Sequence, residues 1–60
     1  MTLFVTVGRA SSAGWDCVDD AGRRRFLPRE ALDPQVVNLR VGQRLRVWTT
    51  NGTITRAAVV

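Results

Sequence analysis

The sequence predicts an all-β domain, a small antiparallel barrel of five short strands. Apolar and polar residues alternate along several segments rich in β-branched side chains, which is the period of a half-buried strand. Glycine-containing turn sequences separate these segments, and none of the segments carries a helical period over ten residues. The chain has 60 residues, so we expect one domain, residues 1–60, with a marginal core.

The first predicted strand covers residues 2–9. Leu3, Val5 and Val7 share one face of it, because the side chains of a strand alternate between the two faces of a sheet. The small residues at positions 10–14 then form a loop.

The second and third predicted strands, residues 15–19 and 23–28, form a hairpin. Gly22 lies in the turn between them and supplies the positive φ. Pro28 ends the regular pairing because its nitrogen carries no hydrogen. We expect one helical turn over residues 29–32.

The clearest hairpin joins the fourth and fifth predicted strands, residues 41–50 and 53–60, through Asn51-Gly52, the strongest hairpin signal in the chain. In the fourth strand, the residues expected on the core face are Val41, Leu45, Val47 and Thr49. The opposite face carries Arg44, Arg46, Trp48 and Thr50. Before this strand, Asp33-Pro34 closes the helical turn, and residues 35–39 form a connection that is either irregular or briefly helical.

The charge balance favours an anionic partner. The net charge is +4, and all nine cations are arginines. Guanidinium groups bind phosphate through two hydrogen bonds and stack on bases, which is typical of nucleic-acid binding. A GC-rich genome also replaces lysine by arginine throughout, so compositional bias is the alternative explanation.

The expected location is the cytoplasm, with no membrane partner. No apolar stretch approaches the ~20 residues that span a bilayer. The N-terminal residues lack the basic and cleavage regions of a signal peptide. Cys17 is the only cysteine and cannot form an internal disulfide.

The order of short motifs resembles the bacterial cold-shock domain, a five-stranded barrel of the oligonucleotide-binding (OB) type that binds single-stranded RNA and DNA. Residues 14–18 (GWDCV) resemble the family's G-F-G-F-I, and residues 19–22 (DDAG) its P-D-D-G turn. Residues 26–32 (FLPREAL) stand where the family has F-V-H-F-S-A-I. Residues 41–45 (VGQRL) and 56–60 (RAAVV) resemble E-G-Q-R-V and Q-A-A-N-V. The resemblance implies a cold-shock-like OB barrel.

The resemblance also implies which rings bind bases. Alternate aromatic residues of the family's two motifs project outward, and at those positions this chain has Trp15 and Phe26. We therefore expect both rings to face outward and stack on bases, with Val18 and Leu27 facing inward. The alternative is that both rings belong to the core, as large aromatics in small domains usually do.

Other positions depart from the family pattern. Cys17, Pro28 and Arg29 replace further residues of the platform, and the aromatic of the first strand is lost near Gly8-Arg9. Because a guanidinium can stack on a base, Arg9 and Arg29 are expected to replace some of the lost rings. Asp16 occupies a glycine position of the family.

Two groups of side chains are candidate binding residues. The predicted nucleic-acid-binding set is Arg9, Trp15, Arg23, Arg24, Arg25, Phe26 and Arg29. The arginine run at 23–25 also has a plain interpretation as a solvated turn, partly balanced by Asp19 and Asp20. The second candidate surface is Arg44, Arg46 and Trp48, which is either a contact surface or a cation–π pair that only covers the sheet.

We expect no catalytic activity, no bound metal and no cofactor. The chain has no histidine to shuttle protons, and Cys17 has no histidine to activate it. One cysteine without histidine cannot form a structural zinc site in one chain. Asp19 and Asp20 are explained as turn formers.

The primary functional hypothesis is binding of single-stranded nucleic acid, with RNA the expected ligand, through a basic and partly aromatic sheet face. The alternative is an OB-type protein-interaction module that docks on a ribosome, a polymerase or another macromolecular partner. A third hypothesis is a homodimer formed by strand edges, so the expected state is a monomer or a weak homodimer.

Overall fold

The computed structural model describes residues 2–32 and 39–60 of the chain. They form an all-β fold, as predicted, with a single turn of 3₁₀ helix at Arg29–Ala31. The strands are β1 (Thr2–Ala10), β2 (Gly14–Asp19), β3 (Arg24–Pro28), β4 (Arg44–Thr50) and β5 (Thr53–Val59).

The five strands belong to one sheet in the order β3-β2-β1-β4-β5, and all neighbours pair antiparallel. The sheet curls so strongly that its two outer strands, β3 and β5, approach each other. A parallel bridge between Leu32 and Ala57 adds to this closure. The result is a half-barrel with an inner and an outer face.

The core fills the inside of the curl. Its buried residues are Val5, Val7, Trp15, Cys17, Leu27, Ala31, Leu45, Val47, Ile54 and Ala57. Burial of each large aliphatic side chain contributes about 1.5–3 kcal/mol, so this cluster is the main source of stability. The predicted inward positions in the first and fourth strands are confirmed for Val5, Val7, Leu45 and Val47.

The two predicted hairpin turns are present. Asn51 and Gly52 both have positive φ, 52° and 81°, and they join Thr50 to its partner Thr53. This conformation matches the twist of the strands on either side. Gly22 has a φ of 82° in the turn between β2 and β3.

A bulge in β5 changes which side of the sheet its residues face. Trp48 pairs with Arg56, but the next residue of β4, Thr49, pairs with Ile54, so Thr55 has no partner across the ladder. The Thr55 hydroxyl donates to the carbonyl oxygen of Trp48 at 3.3 Å. The extra residue places Arg56 on the outer face opposite Trp48.

The fourth strand begins at Arg44, so its predicted start at Val41 is wrong. Val41 lies in a turn with 81% of its surface exposed, although the alternation predicted a core position. Gly42 has a φ of 91°, and the N–H of Gln43 donates to the carbonyl of Arg40 at 3.0 Å. The left-handed glycine reverses the chain and ends the alternation before it reaches Val41.

The connection before this turn is described only in part. The predicted closure at Asp33-Pro34 and residues 35–38 of the predicted connection lie outside the described residues. Leu39 packs against the core.

Candidate functional site

The structure reverses the predicted orientation of β2. Trp15 is only 6% exposed and faces the core, whereas Val18 is 44% exposed on the outer face. The predictions of an outward Trp15 and an inward Val18 are therefore wrong. On β3 the predicted orientations are confirmed, since Phe26 is 46% exposed and Leu27 is fully buried.

The polar residues of β2 explain this orientation. Side chains alternate, so an outward Trp15 would turn Asp16 into the core, where a carboxylate without a partner is costly. With Trp15 inside, opposite Leu27, Asp16 lies in solvent and the large ring is buried in a domain that has few large side chains. The family resemblance compared residue types and did not include this cost.

Asp19 also faces inward and organises the β2–β3 turn. Its carboxylate accepts backbone N–H bonds from Arg23 at 2.9 Å and Ala21 at 3.0 Å, and it pairs with Nε of Arg25 at 2.9 Å. These contacts, the Arg23 N–H first, lower the pKa of Asp19 below its usual range. The guanidinium of Arg25, a predicted phosphate ligand, is thus held within the hairpin.

Arg29 covers the buried tryptophan. Its guanidinium lies 4.7 Å from the centroid of the Trp15 ring and donates to the carbonyl of Ser11 at 3.0 Å. The Arg29 backbone N–H also donates to the carbonyl of Ala13 at 3.0 Å. Trp15 is therefore enclosed between the core and an anchored arginine, and it offers no free face to a base.

Cys17 lies beside Trp15 in the core and is 1% exposed. Burial raises the pKa of the Cys17 thiol, followed by smaller contributions from a Gly8 backbone contact, which opposes it, and from Asp16. A thiol with a raised pKa stays protonated near neutral pH and is a poor nucleophile.

Four adjacent strands each contribute one apolar side chain to the outer face, and together they form a line across the sheet. We call this line the outer diagonal: Phe26 on β3, Val18 on β2, Phe4 on β1 and Trp48 on β4. The register that defines it pairs Asp16 with Phe26, Thr6 with Val18, and Phe4 with Arg46. Each step moves one strand across and two residues along, so successive residues are roughly 7–8 Å apart.

Arginines lie beside the β1–β4 half of the outer diagonal. The guanidinium carbon of Arg46 is 5.4 Å from the centroid of Phe4, and that of Arg44 is 5.8 Å from the same ring. Arg56 lies 4.8 Å from the centroid of Trp48. Each ring of this half therefore has a cation over it, within the range of cation–π attraction.

These arginines differ in their ionic partners. Arg44 binds Asp20 through two contacts, at 2.8 and 3.3 Å, and this hydrogen bonding lowers the pKa of the Asp20 carboxyl. Within residues 2–32 and 39–60, no carboxylate lies within ion-pair distance of Arg46 or Arg56. The positive charge of these two side chains is uncompensated and available to an anion.

A depression of about 350 Å³ lies at the Trp48 end of the outer diagonal. Its lining residues are Phe4, Arg46, Trp48, Ala58, Val59 and Val60. The predicted second surface of Arg44, Arg46 and Trp48 does lie on the outer face, but sequence reasoning missed two of its neighbours. The alternation of β1 was sufficient to find Phe4, which lies between inward Leu3 and Val5. No sequence signal identified Arg56, because the bulge sets its orientation.

The structure divides the predicted nucleic-acid-binding set. Phe26 and Arg24 lie on the outer face, where Arg24 pairs with Val18 across the strands. Arg9 and Arg23 are exposed at the ends of strands. Trp15, Arg25 and Arg29 are bound into the fold as described above.

In the part of the chain that the structure describes, no three histidine, cysteine, aspartate or glutamate side chains group as a metal site would require. The same residues contain no helix of sufficient length and apolarity to cross a bilayer. No family model, curated protein or solved structure matches this chain.

Proposed function

We propose that this chain binds single-stranded nucleic acid along the outer diagonal, with bases on Phe26, Phe4 and Trp48 and phosphates on Arg46 and Arg56. One observation carries the proposal. Aromatic residues from three strands lie along one diagonal of the register on the outer face, and uncompensated arginines border its β1–β4 half.

The expected binding free energy is sufficient for weak binding of single strands without a preference for particular bases. Stacking of a base on an aromatic side chain contributes about 1–3 kcal/mol and tolerates any base. A guanidinium already lying on a ring can either stack between that ring and a base or turn to bind a phosphate. Arg46 and Arg56 are suited to both, because no carboxylate among the described residues holds them.

The proposal includes the OB type of barrel and the cold-shock-like assignment. The strand order and the approach of β3 to β5 support it. The binding surface differs from the one that the resemblance implies, because it is centred on β1 and β4 instead of the first family motif. A cytoplasmic location and a binding role without catalysis are further parts of this proposal.

The first experiment is a fluorescence anisotropy titration of labelled six-nucleotide single strands, RNA and DNA, at low ionic strength. We expect dissociation constants in the micromolar range and affinity that falls steeply with salt. For single strands, the logarithm of the binding constant falls with the logarithm of salt concentration with a slope of about −0.7 per phosphate contact. If neither RNA nor DNA binds at low salt, the proposal is wrong.

Charge-matched variants test the location of the surface. Arg46→Gln and Arg56→Gln each remove one contact, so each reduces the salt slope by about 0.7. Arg40→Gln removes the same charge from the turn before β4, away from the outer diagonal, and is the matched control. An equal effect of all three variants would show that net charge, and not this surface, determines binding.

A protein partner is the second candidate, favoured by the exposed Val59 and Val60 beside Trp48. Tryptophan and arginine around an apolar depression are typical of protein-binding hot spots. Val59→Ser distinguishes the two functions, since it removes apolar contact while it leaves Phe4, Trp48 and the arginines unchanged. A partner retained after nuclease treatment, and lost with Val59→Ser, would favour the protein function.

A further inference from the structure

We propose that the Phe26 end of the outer diagonal is a guanine-selective subsite, in which the Asp16 carboxylate reads the base that stacks on Phe26. This inference rests on the proposed function and adds base preference to it. It starts from an anomaly, a free carboxylate on the surface proposed to bind a polyanion.

Asp16 is in the right position to reach a base on Phe26. The two residues are direct partners across β2 and β3, so their Cβ atoms are about 4.5–5.5 Å apart and their side chains share the outer face. Asp16 is exposed, and no cation among the described residues lies within ion-pair distance of its carboxylate. Both of its oxygens can therefore accept hydrogen bonds from a ligand.

The surroundings of Asp16 leave room for a base edge. A depression of about 450 Å³ is lined by Gly8, Arg9, Asp16, Cys17, Val18 and Arg24. Gly8 belongs to β1, next to β2, and a Cβ built there would lie 2.8 Å from the backbone oxygen of Asp16. The close strand approach thus requires glycine, and the missing side chain leaves the sheet uncovered beside the carboxylate.

The chemistry of a carboxylate selects guanine. A carboxylate is acceptor-only and binds best to two adjacent donors. The Watson–Crick edge of guanine presents N1–H and N2–H side by side. Uracil has one N–H between two carbonyls, while adenine and cytosine place a ring-nitrogen acceptor beside the amino group. Each of these three bases would turn a lone pair towards the second oxygen of Asp16.

The charges around the depression are consistent with a nucleotide ligand. Arg9 and Arg24 line it on β1 and β3, and neither has a carboxylate partner in the described segments. They can bind the phosphates on either side of the base while Asp16 contacts its edge. The repulsion between Asp16 and the phosphates of the ligand is then offset by charge-assisted hydrogen bonds from guanine. No other base provides an equivalent pair of donors.

The test compares six-nucleotide uridine strands that carry one internal guanine, adenine, cytosine or hypoxanthine. We expect the guanine strand to bind roughly tenfold more tightly than the all-uridine strand, which corresponds to about 1.4 kcal/mol. Hypoxanthine lacks the 2-amino group and is expected to lose most of this gain. A 7-deazaguanine strand keeps the Watson–Crick edge and is expected to bind like guanine.

Asp16→Asn is the decisive variant, with Glu30→Gln as its matched control on the 3₁₀ turn. The amide keeps the size of the carboxylate and removes its charge, so the guanine preference disappears while the all-uridine strand binds as well as before or more tightly. A variant that only disturbed folding would weaken both strands together. Glu30→Gln is expected to keep the full preference.

The outcomes separate the two proposals. Equal affinity of the wild-type chain for the guanine and all-uridine strands overturns the guanine subsite and leaves general binding intact. A preference that persists in Asp16→Asn also overturns it. If no strand binds at low salt, the subsite and the proposed function both fail.

Discussion

The two tryptophans provide a direct comparison between the inner and outer faces of the sheet. Each indole has an arginine over it at nearly the same distance, 4.7 Å for Arg29 on Trp15 and 4.8 Å for Arg56 on Trp48. The rings themselves differ, since Trp15 belongs to the core and Trp48 is half-buried on the outer face. The same tryptophan–arginine pair therefore occurs in two different environments, the core and the outer face.

The anchoring of the arginine is what separates the pairs. Arg29 donates to the carbonyl of Ser11 and bonds through its backbone to Ala13, so it is fixed over Trp15. In the described part of the chain, no such side-chain hydrogen bond fixes Arg56. An anchored guanidinium shields a core residue from solvent, whereas an unanchored one can leave the aromatic ring and bind a ligand instead. A cation–π contact by itself does not distinguish a structural pair from a binding surface.

Trp15→Ala should have the largest effect on stability. Removal of a buried aromatic costs about 3–5 kcal/mol, a large fraction of the stability of a domain this small. Urea denaturation followed by circular dichroism measures it, and Trp48→Ala serves as the control, with an expected loss of about 1 kcal/mol or less. Equal losses for the two variants would contradict the division into inner and outer rings.

Trp48→Leu should have the largest effect on binding. Leucine keeps apolar contact but removes the stacking surface, so affinity for a single strand should fall roughly tenfold to a hundredfold. Anisotropy titration provides the measurement, and the free energy of unfolding should change by less than about 1 kcal/mol. An unchanged affinity would remove Trp48 from the proposed site.

Low pH should destabilise the β2–β3 hairpin through protonation of Asp19. Its pKa is lowered in the folded state, so the stabilisation is complete above the unfolded value near 3.8 and is lost as the pH falls below it. Denaturation of the wild-type chain between pH 2 and 6 should show this loss, and Asp19→Asn should reduce it. Asp20→Asn is the control, because Asp20 is more exposed, and its effect should be smaller.

The smallest effects should come from the arginines that cover the two rings. Arg29→Met should lower stability by up to about 1 kcal/mol and increase acrylamide quenching of Trp15 fluorescence. Arg56→Met should leave stability unchanged and weaken oligonucleotide binding. The quenching experiment uses variants with a single tryptophan, Trp48→Phe or Trp15→Phe, so that each ring reports separately. If Arg29→Met left Trp15 protected, the covering role of Arg29 would be wrong.

Most of the fold could be predicted because local patterns determine it. The alternation at Leu3, Val5 and Val7 and the turn at Asn51-Gly52 depend only on neighbouring residues, and the structure agrees with both. The start of the fourth strand was missed because the left-handed turn at Gly42 ends an alternation that continues in the sequence. Local pattern cannot detect that change of direction.

The candidate site was harder to predict because it depends on register between distant strands. Phe4 and Trp48 share one line only through the pairing of β1 with β4, which are more than thirty positions apart in the sequence. The orientation of Trp15 depended on the cost of burying Asp16, a balance that residue matching with a family does not contain. Phe26 was placed correctly because Leu27 beside it has one strong preference, for the interior.

At the bulge, the three β5 residues from Ile54 to Arg56 lie opposite only two residues of β4, Trp48 and Thr49. One additional backbone unit thereby reverses the parity of everything that follows it in the strand. With regular pairing after Ile54, Arg56 would lie opposite Val47 and point into the core, and Ala57 would point into water. A strand can thus acquire a charged exterior late in its length without any change to the composition of the residues around it.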